Sequence, residues 1–162
     1  MEQTFLDALD ICRWDAYAAV GSDVAIMCEG FLRPHVDGDL PGLSSYLTDS
    51  VAAAFRLYPA PSHFPDGWEG EIEACRDRLI RAQLAAPIPV HEIGHTGGAR
   101  IFKSLPIHPR LRLDDQELIE NNVRANLCRS YEPMLASDDP VAVASRVAGR
   151  ESTARESAPN EG

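Results

Sequence analysis

This chain of 162 residues contains no apolar run near the roughly 18 residues that a membrane-spanning helix needs. Its first ten residues, MEQTFLDALD, lack the basic start and apolar stretch of a secretory signal. A soluble, cytoplasmic protein is therefore expected, with no membrane partner. Cysteine is sparse: Cys12, Cys28, Cys75 and Cys128 lie 16, 47 and 53 residues apart, so there is no CxxC pair for a zinc ribbon or a redox couple. Each sits among apolar neighbours in a helix-like stretch, which predicts reduced, buried thiols. Lysine is all but absent, one against 14 arginines, which reads as coding bias without functional meaning. Internal repeats, a heptad seam and a glycine-rich phosphate loop are also missing, which removes solenoids, coiled coils and P-loop enzymes.

What is present suits a globular protein. Hydrophobic residues make up 44% and charged residues 25%, enough for a core and unlike a collagen or a disordered chain. The pattern predicts a mainly α fold: a single compact domain of about five to six helices over residues 1–148, with a disordered polar tail at 149–162. A first helix carries the stripe Phe5, Leu9, Cys12 and Ala16 and is broken at Gly21; Ser22 or Asp23 then caps a second, which ends before Pro34. The third, capped by Ser44 or Ser45, runs through Leu43, Leu47, Val51, Phe55 and Tyr58. PAPSHFPDGW is a stiff connection pinned to the core by Phe64 and Trp68. A fourth helix, about Glu69 to Ala85, places Ile72, Cys75, Leu79 and Leu84 on one stripe. Prolines at 87 and 89, and glycines at 97 and 98, predict an irregular segment or short β-hairpin near residues 88–112. Asp114 caps a fifth helix containing Leu118, Ile119, Val123, Leu127 and Tyr131, and a short one runs from Pro140 to Val147.

Charge is unevenly spread. Residues 1–73 hold 13 acids and 3 bases, 74–130 hold 6 and 9, and 131–162 hold 6 and 3, for a net charge of -10. An acidic first half repels phosphate backbones, so direct nucleic-acid binding is not expected. Between Ile93 and Leu113 there are no acids, while Arg100, Lys103, Arg110 and Arg112 accompany His95 and His108. This basic stretch suits an anionic partner, or the protein's own acidic half.

His91-Glu92-Ile93-Gly94-His95 satisfies HExxH. In that pattern two histidines one helical turn apart bind zinc and the glutamate activates a metal-bound water. These letters resemble the zincin metallopeptidases. Gly98 matches the glycine of the longer metzincin pattern, but Ile101 stands at its third ligand position. A gluzincin-like arrangement implies a carboxylate ligand from a later helix instead, Glu117 or Glu120. His35, His63 and His108 stand near prolines in loops and are surface residues by default.

Three functions follow as expectations. The first is a small helical accessory or adaptor protein, without a cofactor, that binds another protein through its acidic half, the basic stretch, or both. An exposed face at Phe31, Phe55 or Tyr58 would mark such a partner. The second is a zinc-dependent hydrolase, most simply a peptidase, with Glu92 as base and His91, His95 and Glu117 or Glu120 as ligands. The third is an acidic mimic of nucleic acid that occupies a basic cleft.

Overall fold

The computed structural model describes residues 2–108 and 112–147; the polar tail expected over 149–162, and Arg110, lie outside these. The described residues are mainly helical, with no strand among them. In chain order come α1 (Glu2–Leu32), a 3-10 turn (Arg33–His35), α2 (Leu40–Phe55), α3 (Gly67–Gln83), α4 (Val90–Ser104), α5 (Arg112–Ser130) and α6 (Glu132–Ser137). Residues 140–147 are helical as well. Among the described residues no helix is long and apolar enough to cross a membrane.

The 31-residue α1, about 46 Å long at about 1.5 Å per residue, is the axis against which α2, α3 and α4 pack. It does not break at Gly21. A Cβ there would stand 2.8 Å from Phe55 Cε1, so this glycine lets α2 approach rather than ending the helix. Ser22 and Asp23 lie inside α1 and are buried. The contacts fix the directions. Tyr17 Oη donates to the Ala54 carbonyl at 2.9 Å while Leu47 and Cys28 share one groove, so α2 runs antiparallel to α1. Arg78 meets Asp23 and Arg33 reaches the carbonyls of Ala82 and Ala85, so α3 runs parallel. Cys12 lies near the Ile101 carbonyl and Asp23 near Gly97, so α4 returns antiparallel.

Local signals explain most of the ends. Asp39, not Ser44 or Ser45, caps α2, its carboxylate accepting from the Gly42 N–H at 3.1 Å with Pro41 in the first turn. Ser44 is buried. Phe64 and Trp68 pin the proline-rich connection as expected, both buried in an aromatic cluster with Trp14, Tyr17, Phe55 and Tyr58. Trp68 Nε1 donates to the Tyr58 carbonyl at 2.8 Å. The stripe of α3 is shorter than expected: Ile72, Cys75 and Leu79 are buried, but Leu84 lies beyond the helix and is exposed. On α5, Leu127 is buried and Leu118 exposed; the helix begins at Arg112, two residues before Asp114. All four cysteines are free thiols, Cys12 and Cys75 buried and Cys28 and Cys128 half-buried.

The largest departure is at residues 88–112, where no hairpin forms. Residues Val90–Ser104 are helix α4, because glycines that weaken an isolated helix here face other helices. A Cβ at Gly94 would lie 2.8 Å from Arg124 Cγ, one at Gly98 2.8 Å from Glu120 Cα, and one at Gly97 would run into Asp23 Oδ2. Gly94 and Gly98, one turn apart, therefore form the seam on which α5 lies antiparallel, while Gly97 turns inward against α1. The contact area gained at close approach outweighs the propensity lost.

Candidate functional site

Since α4 is helical, His91 and His95 are one turn apart, as the HExxH pattern requires. His95 lies against α5: its Nδ1 is 3.4 Å from Glu120 Oε2, and Arg124 Nη1 is 3.3 Å from its Nε2. Glu120 is thus the carboxylate brought to His95. Glu117, the other expected ligand, is an exposed residue of α5 sharing a shallow polar surface pocket with Glu120. The carboxyl of Glu120 is held below its usual range, first by the hydrogen bond from the Gln116 side chain and then by His95. His91 and Glu92 are exposed, 3.8 Å apart at Nε2 and Oε1. Among the described residues no three His, Cys, Asp or Glu side chains are grouped to hold a metal ion.

The basic stretch is largely turned on the protein itself. Arg100 makes two bonds to Glu71, at 2.6 and 2.9 Å, and two to Asp15, at 3.1 and 2.8 Å, and stacks over Phe64. These acids, Glu71 foremost, raise its pKa. Arg112 donates to the carbonyls of Phe102, Lys103 and Leu105 at the end of α4, where a cation satisfies unpaired acceptors and the negative end of the helix dipole. Arg100 and Arg112 are thereby committed to holding helices together, while Lys103 is exposed.

Two further ion pairs are internal, and sequence patterning missed both. Glu29, 1% exposed, forms a two-bond pair with Arg33, at 2.7 and 2.8 Å. Asp23 is fully buried: Arg78 Nη2 donates to its Oδ1 at 2.7 Å, and the Gly97 N–H to its Oδ2 at 3.2 Å. Burial pushes the Asp23 carboxyl above its usual range, although Arg78 and Gly97 pull the other way. Asp23 in the sequence looks like a helix cap; the only hint otherwise is its place among apolar residues of α1.

Two apolar features remain unfilled. The first is the amino-terminal end of α1, where Gln3–Ile11 extend beyond Cys12, the first buried residue. Phe5, Leu6 and Leu9 are 50%, 51% and 39% exposed there, and their spacing places them on one side of the helix. The second is a groove of about 590 Å³ between α1 and α2. One wall is Arg13, Ala16, Tyr17, Val20, Gly21, Val24, Ala25 and Cys28; the other is Leu47, Ser50, Val51, Ala54 and Phe55, with Tyr131 added from the junction of α5 and α6. Both walls keep three-and-four spacing, so each is one continuous helical face. Burial in this lining raises the Cys28 thiol to about 11, with Asp138 adding to the effect, so it is protonated near neutral pH. Of the aromatics expected to report a partner face, Phe55 is buried, Phe31 packs against the core and Tyr58 is half exposed. No family model, curated protein or solved structure matches the chain.

Proposed function

We propose that the chain is a small accessory protein that works by binding another protein, and that the amino-terminal end of α1 makes the contact. The observation that supports this reading is a row of half-exposed Phe5, Leu6 and Leu9 on a helix that projects past its own neighbours. A monomer gains nothing from leaving three large apolar side chains in water. Asp7 and Asp10 flank the row and Arg13 follows it, so the matching surface is an amphipathic helix with an apolar face and basic flanks.

The test uses a labelled leucine–lysine amphipathic peptide of about five helical turns and its leucine–glutamate counterpart. The basic peptide binds and weakens as salt rises from about 0.05 to 0.3 M, because exposed charges are screened; the acidic one binds at least tenfold less tightly. Phe5→Ser with Leu9→Ser removes about 1 kcal/mol of remaining burial each, a loss of about thirtyfold together. Equal affinity for both peptides, or a double variant that binds like the parent, would sink the reading.

A second reading rests on the helical form of α4. It is a zinc hydrolase in which His91 and His95 hold the ion, Glu92 acts as base and Glu120 takes the ligand position also considered for Glu117. For it to operate, the Arg124 guanidinium must leave the His95 ring. Elemental analysis of protein purified without chelator then finds about one zinc per chain, lost in His91→Ala. Glu92→Gln keeps the metal and loses hydrolysis. No bound metal, or metal unchanged in His91→Ala, eliminates it.

A further inference from the structure

From the shape and charge of the groove between α1 and α2, we propose a second site, which adjoins the protein-docking end of α1 at Arg13: a binding slot for a single-chain fatty carboxylate. Three observations carry it. The lining is mostly apolar, with Val20, Val24, Leu47 and Val51 at its middle and the aromatic rings of Tyr17, Phe55 and Tyr131 beside them. Its volume, about 590 Å³, lies within the range of about 300–1,000 Å³ for small-molecule sites. The third is the placement of charge. Arg13 is the only basic residue in α1, and it stands at the first lining position of that helix, with Cys28 at the last.

Length selects the ligand. From Arg13 to Cys28 the α1 wall runs for about 15 residues, or about 22 Å at about 1.5 Å each, while the facing α2 wall, Leu47 to Phe55, runs for about 12 Å, so the methyl-end half of a bound chain lies between two helices and the carboxyl-end half lies along α1 alone. An extended saturated chain of about 16 carbons, built from bonds of about 1.5 Å, spans about 20 Å. The carboxylate then meets the Arg13 guanidinium and the methyl end lies near Cys28, whose protonated thiol is an apolar neighbour. Arg13 is already paired with Asp10 at 2.6 Å, but both side chains are mostly exposed, 66% and 54%. Such a pair is weak, and a guanidinium has donors to spare for a second carboxylate.

The experiment is calorimetric titration of the lipid-stripped full chain with palmitate below its micelle concentration, compared with hexadecanol, hexadecyltrimethylammonium, and saturated acids of about 10 and 22 carbons chosen to bracket the slot. The expected result is one palmitate per chain, with affinity falling at least tenfold for the shorter and longer acids. Arg13→Gln weakens palmitate about fivefold and leaves hexadecanol unchanged. Ala54 is exposed on the groove's rim, so Ala54→Trp fills the slot without crowding the core and removes binding of both. Absence of saturable binding overturns the proposal. So does equal affinity for the cationic amphiphile, which marks adsorption to any apolar surface. If instead palmitate fails to bind and Ala54→Trp abolishes binding of the leucine–lysine peptide, the slot receives a helix and the fatty-acid assignment is wrong. Loss of peptide binding on substituting Phe5 and Leu9 tests the other site and leaves this result untouched.

Discussion

Replacing Arg78 with Met is expected to destabilise the fold by about 3 kcal/mol, because it leaves the buried Asp23 carboxylate with the Gly97 N–H and no counter-charge. For a protein of this size that lowers the melting temperature by about 6–12 °C. The loss depends on pH in a defined direction. Burial already holds the folded-state pKa of Asp23 above its unfolded value, while Arg78 opposes the rise. For an acid shifted upward the folded state binds the proton more tightly. Its contribution to stability is therefore fully present below the unfolded pKa and is lost as pH rises through the folded one. Without Arg78 the shift grows, so the deficit of the variant is greatest at neutral pH and shrinks toward acid. Asp23→Asn in the Arg78→Met background removes the charge, keeps an acceptor for the Gly97 N–H, and recovers more than half of the loss. Thermal unfolding of the parent and the two variants at pH 5 and 7.5 checks this; a deficit independent of pH would mean that Arg78 contributes packing alone.

The α4 glycines reverse the usual effect of a helical Gly→Ala change. In an open helix interior that change stabilises by up to about 1 kcal/mol. Gly30 of α1 approximates the open case, since its added Cβ would meet only Pro87 Cβ, at 3.7 Å; Gly30→Ala is expected to be neutral or mildly stabilising. At Gly98 the same methyl lies 2.8 Å from the Glu120 Cα, a backbone atom that yields only if α5 moves away. At Gly97 it runs into the buried Asp23 Oδ2 and displaces that carboxylate from the N–H it accepts from. Gly97→Ala and Gly98→Ala are each expected to lose about 2 kcal/mol net, within the overpacking range. Denaturant unfolding of the three variants decides the matter. A gain at Gly98 equal to that at Gly30 would show that α5 does not rest on α4 as described.

Much of the helical pattern was legible because it is local. The stripes of α2 and α3, the proline-rich connection pinned by Phe64 and Trp68, and the helix over 140–147 follow from spacing and prolines, although Asp39 rather than Ser44 or Ser45 caps α2 and Leu84 falls outside α3. The candidate site was legible only in outline. HExxH in the sequence identifies His91 and His95, but it does not say that His95 lies between Glu120 and Arg124, residues 25 and 29 positions away. The groove was invisible for a related reason: Val20, Val24, Leu47 and Val51 have the spacing of core residues, and a helical face that ends in a core reads the same as one that ends in an open slot.

The amino-acid sequence alone determined a mainly helical chain with an acidic first half, because periodicity and charge are carried by residues close together in the chain. Tertiary structure decided what its glycines mean. A missing Cβ both weakens a helix and permits another backbone to come close. Which effect wins at Gly21, Gly94, Gly97 and Gly98 depends on Phe55, Arg124, Asp23 and Glu120, neighbours brought there only by the folded chain. The same holds for charge. Sequence left the basic stretch open to a partner or to the protein's own acidic half, and Arg100 takes the second course, held by Asp15 and Glu71, because the antiparallel return of α4 along α1 sets the cation between two acids that lie far from it in sequence.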